Sequence, residues 1–233
     1  MSNSHYTGTE LDVFAQGHNW KAYLRELIGP YLRGNVLEVG AGIGATTCAF
    51  RGDRQSSWTA LEPDPRLAAQ LRARVANALL EVEVHVGDIA SLPEQPAFDC
   101  ALYVDVLEHI ADDRSELEQV AARVVSGGIV VVMSPAHQVL YTAFDEAIGH
   151  HRRYDRGQLL AIGPPSLDLV RSQYLDSVGL LLSAGNRFLL RSAAPTLSQV
   201  LFWDRWCVPV SRIVDRLTLG HVGKSILAVW RKR

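Results

Sequence analysis

Cysteine is scarce in this 233-residue chain, with three residues at Cys48, Cys100 and Cys207. No two form a CxxC pair and an odd number cannot all be bridged, which excludes a disulfide scaffold and a zinc ribbon. Long hydrophobic runs are missing too. No apolar stretch approaches the roughly 18–20 residues of a membrane span, and the opening MSNSHYTGTE lacks the apolar run of a signal peptide. A cytoplasmic globular protein is therefore expected. Repeats and low-complexity linkers are absent, and the net charge is only −2. What is present is enough to build a core: 48% of the residues are apolar and 21% charged. Domains of about 100–200 residues are usual, so one domain with an elaboration is expected. Charge is unevenly spread. From Arg171 onward there are ten Lys/Arg against three Asp/Glu, while the rest of the chain has 13 against 22. The basic final segment, with Trp203, Trp206 and Trp230, is either a contact for an anionic surface or ligand or a solvated helix face over core tryptophans.

Residues 10–32 have helical spacing at Leu11, Phe14, Trp20, Tyr23, Leu24, Leu27 and Ile28, and Gly29-Pro30 ends the run. Short apolar runs follow at 36–39, 58–61, 82–86, 100–104 and 129–133, separated by helical patterns such as 65–80 and 115–125. Strands alternating with helices predict parallel βαβ units in a doubly wound, Rossmann-like α/β sheet. A sixth strand is expected at 168–174, a helical stretch over 180–219 broken near Pro195 and Pro209, and a closing strand at 225–230. The chain is read as a single domain: a helical lid over 1–33, the core at 34–175, a helical insertion at 176–224, and the last strand and tail at 225–233. Ligands of such sheets bind at the carboxyl ends of the strands, where the motifs below all fall.

The strongest motif is VLEVGAGIG at 36–44, a strand running into Gly40, Gly42 and Gly44 and then into a helix. Glycine permits the tight turn and lets a ligand press on the backbone beside a helix N-terminus. The glycines alone also satisfy the dinucleotide pattern GxGxxG/A through Ala45. The carboxylates around them are more discriminating. Glu38 at the strand end would repel a pyrophosphate and favour the cationic methionine portion of S-adenosylmethionine. Glu62, 18 residues after Gly44, can accept from both ribose hydroxyls, with Asp64 a competing choice. Asp88 can accept from an adenine amino group with Ile89 on the ring, or it can cap a helix.

VLEVGAGIG, ALEPD, VGDI and FDCALYVDVLEHI, in that order over about residues 34–135, resemble the successive motifs of class I S-adenosylmethionine-dependent methyltransferases. The similarity is greatest to the large type 11-like group that includes ubiquinone-pathway and bacterial polysaccharide or natural-product enzymes. The resemblance implies a seven-stranded sheet with a reversed last strand, S-adenosylmethionine as cofactor and S-adenosylhomocysteine as product. It also implies cofactor contacts at Glu38, Gly40, Gly42, Gly44, Glu62, Asp88, Ile89 and Val104, with Asp105 following. N-terminal helices commonly cover the cofactor in this family, which brings in Tyr6, His18 and Trp20; an aromatic face would favour a sulfonium. Core packing is the other reading of Trp20.

Methyl transfer is an in-line displacement, and a general base matters mainly when the acceptor is a hydroxyl. His109, Asp105 and His150 are the candidate catalytic residues. Asp105, Glu108 and His109 also resemble the acid-x-x-Glu-His set with which some relatives hold a divalent metal, completed here by His150 or His151. Beyond the fifth strand, His137, Tyr141, Arg152 and Arg153 are expected to contact the acceptor, the two arginines by gripping a phosphate or carboxylate unless they pair with Asp145 or Asp155.

The expected function is methyl transfer to an oxygen of a small-molecule or lipid-linked acceptor. Within the basic final segment, the apolar and basic stretch over 180–219 is either a helical cap that completes the acceptor pocket, a dimer contact, or an interfacial amphipathic helix in peripheral contact with a membrane carrying a lipid-linked acceptor. The alternatives are a non-methylating or binding-only protein on the same fold, or a NAD-dependent oxidoreductase, against which the missing YxxxK pair counts. The glycines around Lys224 do not make a phosphate loop, because Thr218 stands where a glycine is required. The acidic catalytic half argues against nucleic acid.

Overall fold

The structure, a computed structural model, describes residues 9–187 and 195–233. Seven strands form one sheet: β1 Gly34–Val39, β2 Gln55–Glu62, β3 Glu83–Val86, β4 Phe98–Val104, β5 Val124–Pro135, β6 Leu167–Leu175 and β7 Ser225–Lys232. Their order is β3-β2-β1-β4-β5-β7-β6. The first five strands pair in parallel, and β7 runs antiparallel between β5 and β6, the expected reversed last strand. Strands covered on both faces read as unbroken apolar runs, which is why they were visible in the sequence. Successive residues feed opposite layers. Val36, Leu102, Val131 and Val229 face one core, while Leu37, Tyr103, Val132 and Ala228 face the other.

The helices are α1 Thr9–Ala15, α2 His18–Ile28, α3 Ala45–Phe50, α4 Pro65–Asn77, α5 Asp113–Arg123, α6 Ala143–Ala147, α7 Arg156–Ala161, α8 Ser177–Gly185, α9 Leu197–Phe202 and α10 Val208–Leu217. The predicted helix over 10–32 is two helices, divided at Gln16-Gly17. Asp64 starts α4 by accepting from the backbone N–H groups of Arg66 and Leu67, and Pro65 occupies a first-turn position that needs no donor. The break expected at Pro209 does not occur. Residues 197–217 are helical throughout, α9 passing through a π turn, Trp203–Cys207, into α10. The wider π turn relieves the carbonyl that the proline ring would otherwise strike. Pro195 lies at the edge of the described residues, and no helix among them is long and apolar enough to cross a membrane.

The carboxyl ends of the strands share one device. A residue in the left-handed region follows β1, β4, β5 and β6: Gly40 (φ +66°), Asp105 (+54°), His137 (+66°) and Asp176 (+64°). Aspartate and histidine adopt this conformation more readily than most side chains, and each turns the chain sharply off the sheet.

Candidate active site

Gly40 and Gly44 serve the protein's own packing. A Cβ on Gly40 would come within 2.6 Å of Val106, and one on Gly44 within 2.4 Å of Leu71. Gly42 (φ +55°) differs, since a Cβ there would meet only Leu11 of α1 at 3.6 Å. Its backbone is the open face of the turn. The Gly42 N–H donates to Glu62 Oε2 at 2.8 Å, and the Asp64 N–H donates to Oε1 at 2.9 Å. Glu62 thus braces the turn from β2, and burial raises its pKa. Asp64 is occupied with its cap and with Arg66, whose hydrogen bonds hold its carboxyl down at about 2.

Glu38 lies beneath the turn and is 3% exposed. Its Oε2 accepts from Thr47 Oγ1 at 2.6 Å and from Trp58 Nε1 at 2.9 Å, clamping α3 to the sheet. Burial pushes its pKa up to about 7. Asp88 caps the short turn Ile89–Ser91 through the Ser91 N–H and remains exposed. Ile89 is 2% exposed and packed in the core with Val39 and Leu61, not on an open face. Val104 closes β4, half-buried at its carboxyl end. Trp20 takes the core position, which its sequence allowed beside a cofactor contact. It packs at 6.0 Å from Tyr23 and 5.6 Å from Trp203, in the core beneath α2. Tyr6 lies outside the described residues. His18 lines a cleft of about 460 Å³ between α2 and α3, with Lys21, Arg25, Cys48 and Arg74.

The second half of the site follows β4. Asp105 is exposed, yet the protein packed around it removes part of the water that would stabilise its charge. Its pKa is pushed up to about 6, opposed by the charges of His150, Lys224, Lys21 and Arg153. Glu108, three residues on, is fully buried, and among the described residues neither of its carboxylate oxygens has a hydrogen-bond partner. Burial and then the nearby Asp105 charge hold it well above the usual carboxylate range; Ser134 faces it closely enough to favour ionisation without forming a proper hydrogen bond. His150 Nε2 is 3.8 Å from Glu108 Oε1, and its Nδ1 is 2.9 Å from Asp145 Oδ1. His109 meets the His150 ring edge-to-face at 4.5 Å, and burial lowers its pKa to about 4, so it is neutral at physiological pH. Of the two histidines considered, His150 turns inward and His151 stays exposed. Glu108, His109 and His150 present ligand atoms within 4.8 Å of one another. Asp105 is not part of that group.

The four expected acceptor contacts have other partners. Arg153 donates two hydrogen bonds to Asp145, at 2.8 and 2.9 Å, and Arg152 pairs with Asp113 and donates to the Ala111 carbonyl. Tyr141 Oη donates to the His150 carbonyl at 2.6 Å. His137 bridges to the Gly223 carbonyl at 2.9 Å and stacks on Tyr174. Each of the four is thus held in place by a partner within the protein. Asp145, 1% exposed, is their hub; burial pushes its pKa up, but bonds from His150, Arg153 and Thr142 outweigh this and keep it ionised well below its ordinary value. Tyr154, which sequence reasoning missed, donates to Asp113 at 2.7 Å from within the core. Lys21 was missed as well. It donates to the carbonyls of Phe14, Ala15 and Gly17 and acts electrostatically on Asp105.

Residues 36–128 match the family described as "Methyltransferase domain". Over 109 residues the chain is 29% identical to the ajmaline N-methyltransferase of Rauvolfia serpentina. That match covers 46% of this chain and only 38% of the relative. The N-methyltransferase NodS of Bradyrhizobium japonicum, solved with S-adenosylhomocysteine, superposes with a TM-score of 0.55 at 16% identity, covering 91% of this chain and 84% of NodS. The [4+2]-cyclase SpnF superposes with a TM-score of 0.62 at 17% identity, over 90% of this chain and 80% of SpnF. At such identities the structural likeness shows the fold. Residues 36–128 are thus similar to a methyltransferase domain, and they lie on a sheet with the fold of these neighbours.

Proposed function

We propose that this chain transfers the methyl group of S-adenosylmethionine to a nitrogen of a small-molecule acceptor, releasing S-adenosylhomocysteine and a proton. The observation that carries the reading is the open backbone of Gly42 just past the end of β1, braced by Glu62, with Asp105 following the neighbouring parallel strand β4. In this reading the nucleoside lies on the Gly42 face, Glu62 accepts from its ribose, and exposed Asp88 accepts from its adenine.

The sequence pointed to oxygen. Two considerations favour nitrogen: the matched relative is named for N-methylation, and Asp105, exposed just after β4, is a carboxylate that attracts an ammonium group. An amine bound as its cation has no lone pair for the sulfonium carbon until it loses a proton. Asp105, with its pKa near 6, is ionised at neutral pH and takes that proton, while His109, four residues on, is neutral. His150, oriented by Asp145, completes the set. Where a divalent ion is bound, Glu108, His109 and His150 would hold it, and it would lower the pKa of the acceptor group. Rates with and without chelator test that element separately.

Titration calorimetry with S-adenosylmethionine and S-adenosylhomocysteine tests the cofactor, and the mass of products from an amine and phenol panel tests the acceptor. Binding without methylated product from any acceptor would favour a non-methylating reaction, the kind that the cyclase name of one fold neighbour illustrates. Failure to bind either compound would overturn the proposal.

A further inference from the structure

The helix over residues 197–217 is inside out. Its buried face carries Asp204, Ser211 and Asp215 beside Val200, Trp203, Cys207 and Val208. Its exposed face carries Leu197, Leu201, Trp206, Val210, Ile213 and Leu217. These six recur every three or four residues, except for the five-residue step across the π turn, and so fall on one side. Trp206, Ile213 and Leu217 are 60%, 62% and 78% exposed, and Leu181 of neighbouring α8 adds 71%. Among the described residues nothing covers this apolar face, and soluble monomers rarely leave large apolar patches exposed.

The helix cannot roll to hide that face, because polar anchors fix its rotation. Asp204 accepts from the backbone N–H groups of Asn19 and Trp20. Asp215 accepts from Tyr23 Oη and from the N–H groups of Asp176 and Ser177. Ser211 donates to Asp176 at 2.6 Å. Charge is sorted in the same sense. The only three carboxylate side chains from residue 171 onward are Asp176, Asp204 and Asp215, and all are buried, at 0%, 5% and 4% exposed. What that segment offers to solvent is therefore cationic: Arg205 lies over the exposed Trp206 ring, and Arg212 and Arg216 share the single carboxylate of Glu26.

We propose that this face seats the protein on an anionic lipid bilayer, with residues 197–217 lying in the interface. The leucines, Ile213 and Trp206 enter the headgroup–acyl boundary, while the arginines meet lipid phosphates. A tryptophan beside an arginine suits the boundary between headgroup and hydrocarbon. The acidic remainder of the chain is repelled by the same surface, which orients the molecule with this face down. A two-fold pairing of the face with itself would instead set its arginines against their copies. The inference does not rest on methyl transfer.

Vesicle flotation of the full chain, with phosphatidylcholine alone and mixed with phosphatidylglycerol, tests it. The protein is expected to float with the mixed vesicles, to float less with neutral ones, and to be released in part by salt. Trp206 reports docking directly, because the other four tryptophans are 9% exposed or less. Its emission should shift to the blue on mixed vesicles, and the shift should vanish in Trp206→Ser. Ile213→Ser/Leu217→Ser should weaken partition by about tenfold with its melting temperature unchanged. No flotation on anionic vesicles at low salt, or flotation that the double substitution leaves intact, would overturn the proposal. So would a dimer in light scattering that the same substitutions disperse, which would make a second copy the occupant.

Discussion

The sheet and the helical segment between β6 and β7 solve the burial problem in opposite ways. In the sheet, apolar side chains go inward on both faces and carboxylates gather where the strands end. In residues 176–224 the carboxylates go inward and many of the large apolar side chains stay out. Asp176 shows the difference most clearly. Fully buried, it accepts from Gly179 N–H, Trp203 Nε1 and Ser211 Oγ and pairs with Lys224 at 3.2 Å. Despite burial, these partners hold its pKa below the ordinary value. Buried charge is tolerated where every lone pair is met, and the apolar residues displaced by it become surface.

The sharpest way to break this contrast is to place the same kind of change in both regions. Leu227→Asp in β7, where the residue is fully buried, should abolish folding, read as loss of soluble protein. Asp176→Ala leaves Lys224 and several donors unpartnered and should cost about 3–5 kcal/mol in denaturant unfolding. Glu38→Gln sharpens the comparison through pH. Glu38 has a higher pKa folded than unfolded, so its contribution to stability is complete below its ordinary 4.5 and is lost as pH rises through about 7. The wild type should therefore lose up to about 3 kcal/mol between those values that the glutamine variant keeps. Asp105→Asn should slow methyl transfer by about 10²-fold or more with little change in melting temperature. In the wild type kcat/KM should rise with pH through about 6 as Asp105 ionises, and that limb should be missing in the variant. The smallest effect belongs to Ile213→Ser, within about 0.5 kcal/mol of wild type in unfolding.

The strands and the glycine turn were legible because their signals are local. Short unbroken apolar runs and a strand–glycine–helix junction need no knowledge of the rest of the chain. In the GHHRRY loop the nearby Arg153–Asp145 pair was among the readings of the sequence, whereas the partner of Arg152 and Tyr154 is far away: both meet Asp113, 39 and 41 residues earlier. Trp20 fits cofactor and core alike, because an aromatic in a lid looks the same in sequence whether it faces a ligand or Trp203. The helix over 197–217 was hidden differently. Its polarity is reversed, so a correct periodicity indicates the wrong side, and Pro209 looks like a break unless the π turn is foreseen. Left-handed Asp105 and Asp176 left only the weak signal of an aspartate just after an apolar strand.

The first turn of α2 has no cap of its own. Gly17 precedes it, and the carboxylate that receives the Asn19 and Trp20 N–H groups belongs to Asp204, about 185 residues away. Lys21, whose charge reaches Asp105, is carried on that same turn. Lifting residues 197–217 from their seat would fray the start of α2 and draw a cation away from Asp105. The far end of the chain thus works as a latch on the near end, and whatever loads that helix also sets the electrostatic environment in which Asp105 gains or loses its proton.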